Sequence, residues 1–421
     1  MSDRLDVVVI GAGAAGLAAT QSLVKAGRSV KVLEAQDRVG GRVHSVQLED
    51  GHIYERGGQF FSRHMHELLG LAKRYGFHHR VIRATPGGLA MIDGQVVPSE
   101  IEFLKRHLYP ALETAPPDAA DSILGWIDSL GLSPVERAMA ISGAEEIWSG
   151  PLEDISFRTA RRQFTDEPQD DQTLEFAMVE GNGAVLSAVA AELAPHVHLS
   201  MPALWVDRDV GGFVVGTSTK QFLARQLVVA VPPKVLDRID WRAERDHWIG
   251  AQSDLYSGGM MIKVALRYNR PFWLDRGLGL IGQFTDPPGI SVMDSSDAAG
   301  GFDTLTVFIG GSTARLWSPL PQAERWSLMM GHLEAMLGLE VRNPVTVMEA
   351  DWTGHTWCGG AYNSWPRPWT DADPIRRLQD AQDGLTFAGA EVATSYSGYI
   401  EGALRSGRAA AARALGRDVA M

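Results

Sequence analysis

The chain has 421 residues, 45% hydrophobic and 21% charged, with a formal net charge of −12 and a single cysteine, Cys358. That length buries a large core shared by roughly two or three domains, while the acidic balance excludes a nucleic-acid binder, which needs a basic footprint. One cysteine excludes internal disulfides and suits a reducing compartment, and no run of about 18 apolar residues is present to span a membrane.

The first element is an apolar strand, Asp6-Val7-Val8-Val9-Ile10, followed directly by Gly11, Gly13 and Gly16 at G-x-G-x-x-G spacing. Ala14 and Ala15 open an alanine-rich helix, and a second strand at 29–33 ends on Glu34 and Ala35. Strand, glycine turn, helix, strand and acid in this order form a dinucleotide-binding unit. The first glycine permits the turn, the second admits the pyrophosphate and the third lets helix and strand pack closely. The helix N-terminus offers free N–H groups to the diphosphate. Glu34, about 20 residues past Gly11, is placed for a ribose hydroxyl.

Next comes Asp37-Arg38-Val39-Gly40-Gly41-Arg42. Two arginines and a glycine pair after the second strand suit a diphosphate clamped from a second side. The whole order, E-x-x-D-R-x-G-G-R, resembles the FAD-binding start of the flavin-containing amine oxidase family, the monoamine and polyamine oxidases and their relatives. The segment Tyr54-Glu55-Arg56-Gly57-Gly58-Gln59-Phe60-Phe61 continues that resemblance. Helical patterns follow at 101–112, 123–130 and 134–147, punctuated by Pro116-Pro117 and by an acidic loop at 165–171.

At Glu180-Gly181-Asn182-Gly183 the character changes. A helix at 184–193 leads to strands at 197–199, 204–207, 212–217 and 226–231, the last ending in Pro232-Pro233. This is similar to the family's second flavin segment, and the resemblance implies Ala203, Leu204 and Val231 as cofactor contacts. A strand at 260–268 carries Lys263 among apolar residues, and buried lysines are rare without partners. The resemblance gives this lysine a water held against the flavin, where dioxygen is activated.

Two C-terminal turns complete the pattern. In Gly359-Gly360-Ala361-Tyr362 and Ser397-Gly398-Tyr399 the resemblance places two walls of an aromatic cage, so that Tyr362 and Tyr399 orient an amine between ring faces. The run Phe387-Ala388-Gly389-Ala390-Glu391 is similar to the family's closing flavin strand, and Ile400 opens a second helix whose N-terminus stabilises negative charge on the cofactor. Family members with covalent flavin carry a cysteine directly after the glycine pair; Ala361 stands there, so FAD is expected to be non-covalent and Cys358 a small packed residue. Trp148, Phe164, Phe176, Trp205, Trp317 and Trp352 are candidates to line a pocket, although each taken singly reads as a core residue. The twelve histidines show no metal-ligand spacing, so no metal is expected.

The expected fold is therefore α/β, a Rossmann-like FAD domain over 1–83, 180–250 and 355–421 with a discontinuous mixed α+β substrate domain over 84–179 and 251–354. The resemblance implies oxidation of a small amine to an imine that hydrolyses to a carbonyl, with dioxygen reduced to hydrogen peroxide. The alternatives are a flavin dehydrogenase or desaturase acting on a carbon–carbon bond, or an amino-acid oxidase. Gln59 and Phe60 occupy the stretch where amino-acid oxidases hold the carboxylate with an arginine, and Arg63 comes slightly late. Glu145, Glu146, Glu175 and Glu180 suit either a diamine or the surface. Neither nucleic acid nor membrane is an expected partner, a homodimer is left open, and the chain is expected to be soluble and cytoplasmic, its first strand starting near residue 1 and its end carrying no hydrophobic tail.

Overall fold

The structure, a computed structural model, describes residues 4–83, 88–98, 107–165, 174–278, 282–296, 303–369 and 373–417. The predicted helix at 101–112 is seen from its later part as Tyr109–Thr114, and most of the acidic loop at 165–171 lies outside the described residues.

One sheet has eight strands. Its parallel centre is Val30–Leu33, Leu5–Ile10 and Gln221–Val229, with Val7 opposite both Val30 and Gln226. Val197–His198 and Leu385–Phe387 add in parallel, and Gly212–Gly216 and Trp205–Asp209 extend the other side antiparallel before Asp240–Trp241 closes it. Val7, Val8, Val9 and Ile10 are all buried because the strand is covered on both faces, which is why it reads as an unbroken apolar run rather than an alternation. Each such side chain contributes about 1.5–3 kcal/mol.

Helix Ala14–Lys25 packs along helix Ile400–Ala414. Their alanine content is a packing requirement: Ala15, Ala18, Ala19, Ala403, Ala410 and Ala411 are buried in one core cluster. Gly407 permits the closest approach, since a Cβ there would lie 2.1 Å from Ala15 O. The pairing sets the first turn of one helix against Gly407, about two turns into the other.

The second sheet has seven strands in the order Thr346–Asp351, Met261–Tyr268, Asp303–Gly310, Ile290–Asp294, Gly282–Phe284, Leu89–Ile92 and Gln95–Pro98. All neighbours are antiparallel except the Gly282–Phe284 and Leu89–Ile92 pair. Its strands thus come from both stretches read as substrate-binding. A small sheet joins Phe176–Met178 to Phe60–Phe61 and His79–Val81, so the chain near 176 is tied to the segment that ends at 81. A helical cap of Ile123–Ser129, Pro134–Trp148 and Phe157–Thr165 packs around Trp126, Trp148 and Phe157. Helix Pro134–Trp148 is set by a capping box, in which Ser133 and Glu136 satisfy each other's backbone N–H groups, with Pro134 in the first turn. Among the described residues no helix is long and apolar enough to cross a membrane.

Candidate active site

Strands Leu5–Ile10, Val30–Leu33 and Gln221–Val229 end together, and the residues that follow them, Gly11, Glu34 and Ala230, line one cavity of about 430 Å³. Ligands of open α/β sheets bind at this end. The three glycines of the first turn do different work. Gly11 has φ +101°, and a Cβ there would meet Ala230 O at 2.7 Å. A Cβ on Gly16 would lie 1.9 Å from Gly11 O, so Gly16 serves packing and does not line the cavity. Gly13 has ordinary extended geometry, and a Cβ on it would meet nothing nearer than Gly40 O at 4.0 Å. The protein's own packing does not require glycine there. No side chain caps helix Ala14–Lys25 and no acid sits in its first turn, so the N–H groups of its first turn meet the cavity through Gly13, Ala14 and Ala15. These features fit the diphosphate of a dinucleotide.

Glu34 is buried, and its carboxylate accepts from the N–H of Ala12 (2.7 Å) and of Gln36 (2.9 Å). Burial pushes its pKa up and the two N–H donors pull it back. Ala35, Gly41, Ala203, Val231, Gly389, Ala390 and Glu391 continue the wall. Arg42 lines it too, held by a two-pronged pair with Glu391 (2.7 and 2.9 Å) and by donation to Tyr362 O (2.6 Å). Two expected contacts stand apart. Arg38 was read as a diphosphate clamp, but its guanidinium is spent on the carbonyls of Val39, Gly41 and Val43, and it shapes the glycine loop from outside the cavity. Leu204 is exposed and does not line the cavity that its neighbour Ala203 joins.

At the other end Gly57, Gly58, Gln59, Phe60, Lys263, Tyr362, Gly398, Tyr399 and Ile400 line the same cavity. Strand alternation puts Met261 and Lys263 on the cavity face while Ile262, Val264 and Leu266 fill the core behind. Lys263 Nζ donates to Gly57 O at 3.0 Å and lies 5.8 Å from the ring centre of Phe308, its cross-strand partner. Burial pushes the ammonium below its usual range, opposed by buried Glu55, whose carboxylate accepts from Ser45 Oγ and Asn182 N.

Tyr362 is fixed at both backbone ends. Its N–H donates to Ser149 Oγ (2.7 Å) and its carbonyl accepts from Arg42. Phe308 meets its ring edge-on at 6.4 Å. Burial holds the phenol well above its ordinary pKa, with Glu146 and Tyr399 adding to the effect, so the ring stays neutral. Of the six aromatics read as core, Trp148, Phe164 and Trp352 line the cavity; Trp317 is a core residue behind the second sheet, Phe176 packs on Phe61 and His79, and Trp205 lies under Arg242. Phe308, Met261, Met293 and Gln163 are cavity residues that the sequence reading missed.

Cys358 is buried in the cavity wall, and burial pushes its thiol up to about 11. It should stay unmodified by iodoacetamide at about pH 8 in the folded protein and react once the chain is denatured, because only the thiolate attacks.

The profile of the family described as flavin-containing amine oxidoreductase matches residues 14–415. Putrescine oxidase of Kocuria rosea is 30% identical over 98% of this chain and 95% of its own length. An L-amino acid dehydrogenase of Synechocystis sp. is 26% identical over 99% of this chain and 96% of its own. Cyclohexylamine oxidase from Brevibacterium oxydans IH-35A shares the fold, with a TM-score of 0.89, 24% identity and coverage of 98% and 99%. The chain belongs to the flavin-containing amine oxidoreductases, and it is an FAD-dependent oxidoreductase acting on CH–NH2 donors.

Proposed function

We propose that the chain oxidises an amine to an imine, released as an aldehyde or ketone after hydrolysis, and that dioxygen is the terminal acceptor, giving hydrogen peroxide. The observation that carries this reading is that Tyr362, Tyr399 and Lys263 line one cavity together with the glycine turn. Gly13, Ala14, Ala15 and Glu34 would hold the diphosphate and ribose, with Ala203 and Val231 beside the adenosine half; Gly57 to Phe60 and Gly398 to Ile400 would hold the ring half. We assign the FAD-binding domain to 1–83, 180–250 and 355–421 and the substrate-binding domain to 84–179 and 251–354, with Tyr362 and Tyr399 reaching the substrate from the first. When bound, the flavin supplies a two-electron acceptor for the α-carbon of the amine.

The protein's part is placement and desolvation. Neutral tyrosine rings offer faces that orient an amine nitrogen and exclude water. The anchored backbone of Tyr362 pre-pays the cost of holding one such face in place. Arg63, the late arginine of the sequence, is exposed and paired two-pronged with Glu175 at 2.6 Å on each prong, outside the cavity, which speaks against it as a carboxylate anchor.

A panel of monoamines, diamines, polyamines and amino acids assayed for peroxide tests the reading: an amine should give peroxide equal to carbonyl product. Absence of peroxide with carbonyl still formed would move the acceptor away from dioxygen. Lys263→Met should slow flavin reoxidation by dioxygen far more than anaerobic reduction by the amine; stopped-flow traces with both half-reactions unchanged would take Lys263 out of the site. The FAD should leave the chain on acid denaturation, since Ala361 holds the attachment position; yellow colour retained on a denaturing gel would implicate Cys358.

A further inference from the structure

Four acids stood as candidate substrate contacts, and the fold separates them. Glu175 is paired with Arg63, and Glu180 with His78, both at the surface. Glu145 is buried against Gly311 and accepts from Ser312 Oγ at 2.5 Å. Glu146, one residue on, lines the cavity. It finds no hydrogen-bond or ion-pair partner among the described residues, and burial, with no neighbouring cation to offset it, pushes its carboxyl up to about 7, so that an arriving ammonium would draw it into the charged form. Its charge reaches Tyr109 and Tyr362, where it adds to the upward push that burial gives both phenols.

A carboxylate taken from water without a partner is costly, and such groups are normally paired. Here the surroundings supply aromatic rings instead of a cation. We propose that Glu146 is the specificity carboxylate of the substrate cavity, receiving a second, non-reacting ammonium group, so that the substrate is a diamine or polyamine. This rests on the amine-oxidation reading above. The same charge disfavours a substrate that bears a carboxylate, because like charges at short range repel. It therefore separates two substrate classes that the tyrosine pair alone does not.

The test compares α,ω-diamines with n-alkylamines and ω-amino acids of the same carbon number, using holoenzyme and following anaerobic flavin reduction. A charge-assisted contact of this kind is worth roughly 10- to 100-fold in affinity. The parent should prefer the diamine over the matched monoamine by about that factor in the half-saturating concentration, and Glu146→Gln should erase the preference and narrow the disadvantage of the ω-amino acid. FAD bound per chain reports that the variant has folded; Glu146→Ser is the replacement if the glutamine variant does not fold. A diamine-to-monoamine ratio that is the same in parent and variant overturns the assignment while leaving amine oxidation intact. If neither monoamine nor diamine reduces the flavin, the amine reading falls and this inference with it.

Discussion

Replacing Tyr362 or Tyr399 with alanine is expected to lower the rate of anaerobic flavin reduction by about 10²-fold, the usual consequence of losing a group that positions a reactant to within roughly 1 Å. FAD content should change little, because the diphosphate end of the cavity is built from other segments, Gly11 to Ala15 and Glu34. Tyr362→Phe should cost much less. The ring face orients the amine, and burial disfavours ionisation of the phenol, so the hydroxyl is not expected to act as a base. The anchors of Tyr362 are backbone atoms, bonded to Ser149 and Arg42, and survive either substitution. Stopped-flow reduction with the best amine, normalised to bound FAD, separates these outcomes. Alanine variants that match the parent per bound flavin would make the two tyrosines packing residues only.

The glycine turn gives the second large effect. Gly13→Val should fold and fail to hold FAD. Gly13 lies at φ −71° and ψ −178°, which any residue adopts, and a Cβ there meets no protein atom closer than 4.0 Å. The side chain would enter the space where the diphosphate meets the helix N-terminus. Each charge-assisted bond forfeited there is worth roughly 1.5–3 kcal/mol, so loss of two raises the FAD dissociation constant by at least about 10²-fold. Gly16→Ala should behave oppositely in kind. Its Cβ would press on Gly11 O at 1.9 Å, a backbone atom that cannot swing aside, and overpacking of this sort costs about 1–3 kcal/mol. The apoprotein of Gly16→Ala should melt lower than the parent, and that of Gly13→Val should not. Equal melting of both variants with equal FAD content would dissolve the distinction.

Much of this architecture is local and therefore legible in the sequence. The run from Asp6 to Glu34 carries its own strand, turn, helix and strand, and its glycines report contacts made within a few residues or to the adjacent strand. The strand read at 260–268 is observed as Met261–Tyr268, and its alternation alone puts Lys263 opposite the core face. What stayed hidden depends on partners that only the folded backbone assigns, whether near or far along the chain. Arg38 looked like a ligand because its charge was visible, whereas the three carbonyls that absorb it are positioned by the fold of its own loop. Phe308 lies on Asp303–Gly310, a strand with no single-residue signature, and becomes a cavity residue only through its register with Lys263. Glu145 and Glu146 are indistinguishable by type and neighbours in sequence. One step around a helix, about 100° at 3.6 residues per turn, sends one to the Ser312 hydroxyl and the other to the cavity. Gly407 reads as one more small residue of an alanine-rich helix until that helix is seen against Ala15.

The most direct test of the account is an anaerobic titration of the oxidised holoprotein with a panel of amines, following the visible absorbance of the bound flavin. At least one small amine should bleach the flavin fully and yield one equivalent of aldehyde or ketone per FAD. A flavin that dithionite reduces readily, but that no amine in the panel bleaches, would contradict it.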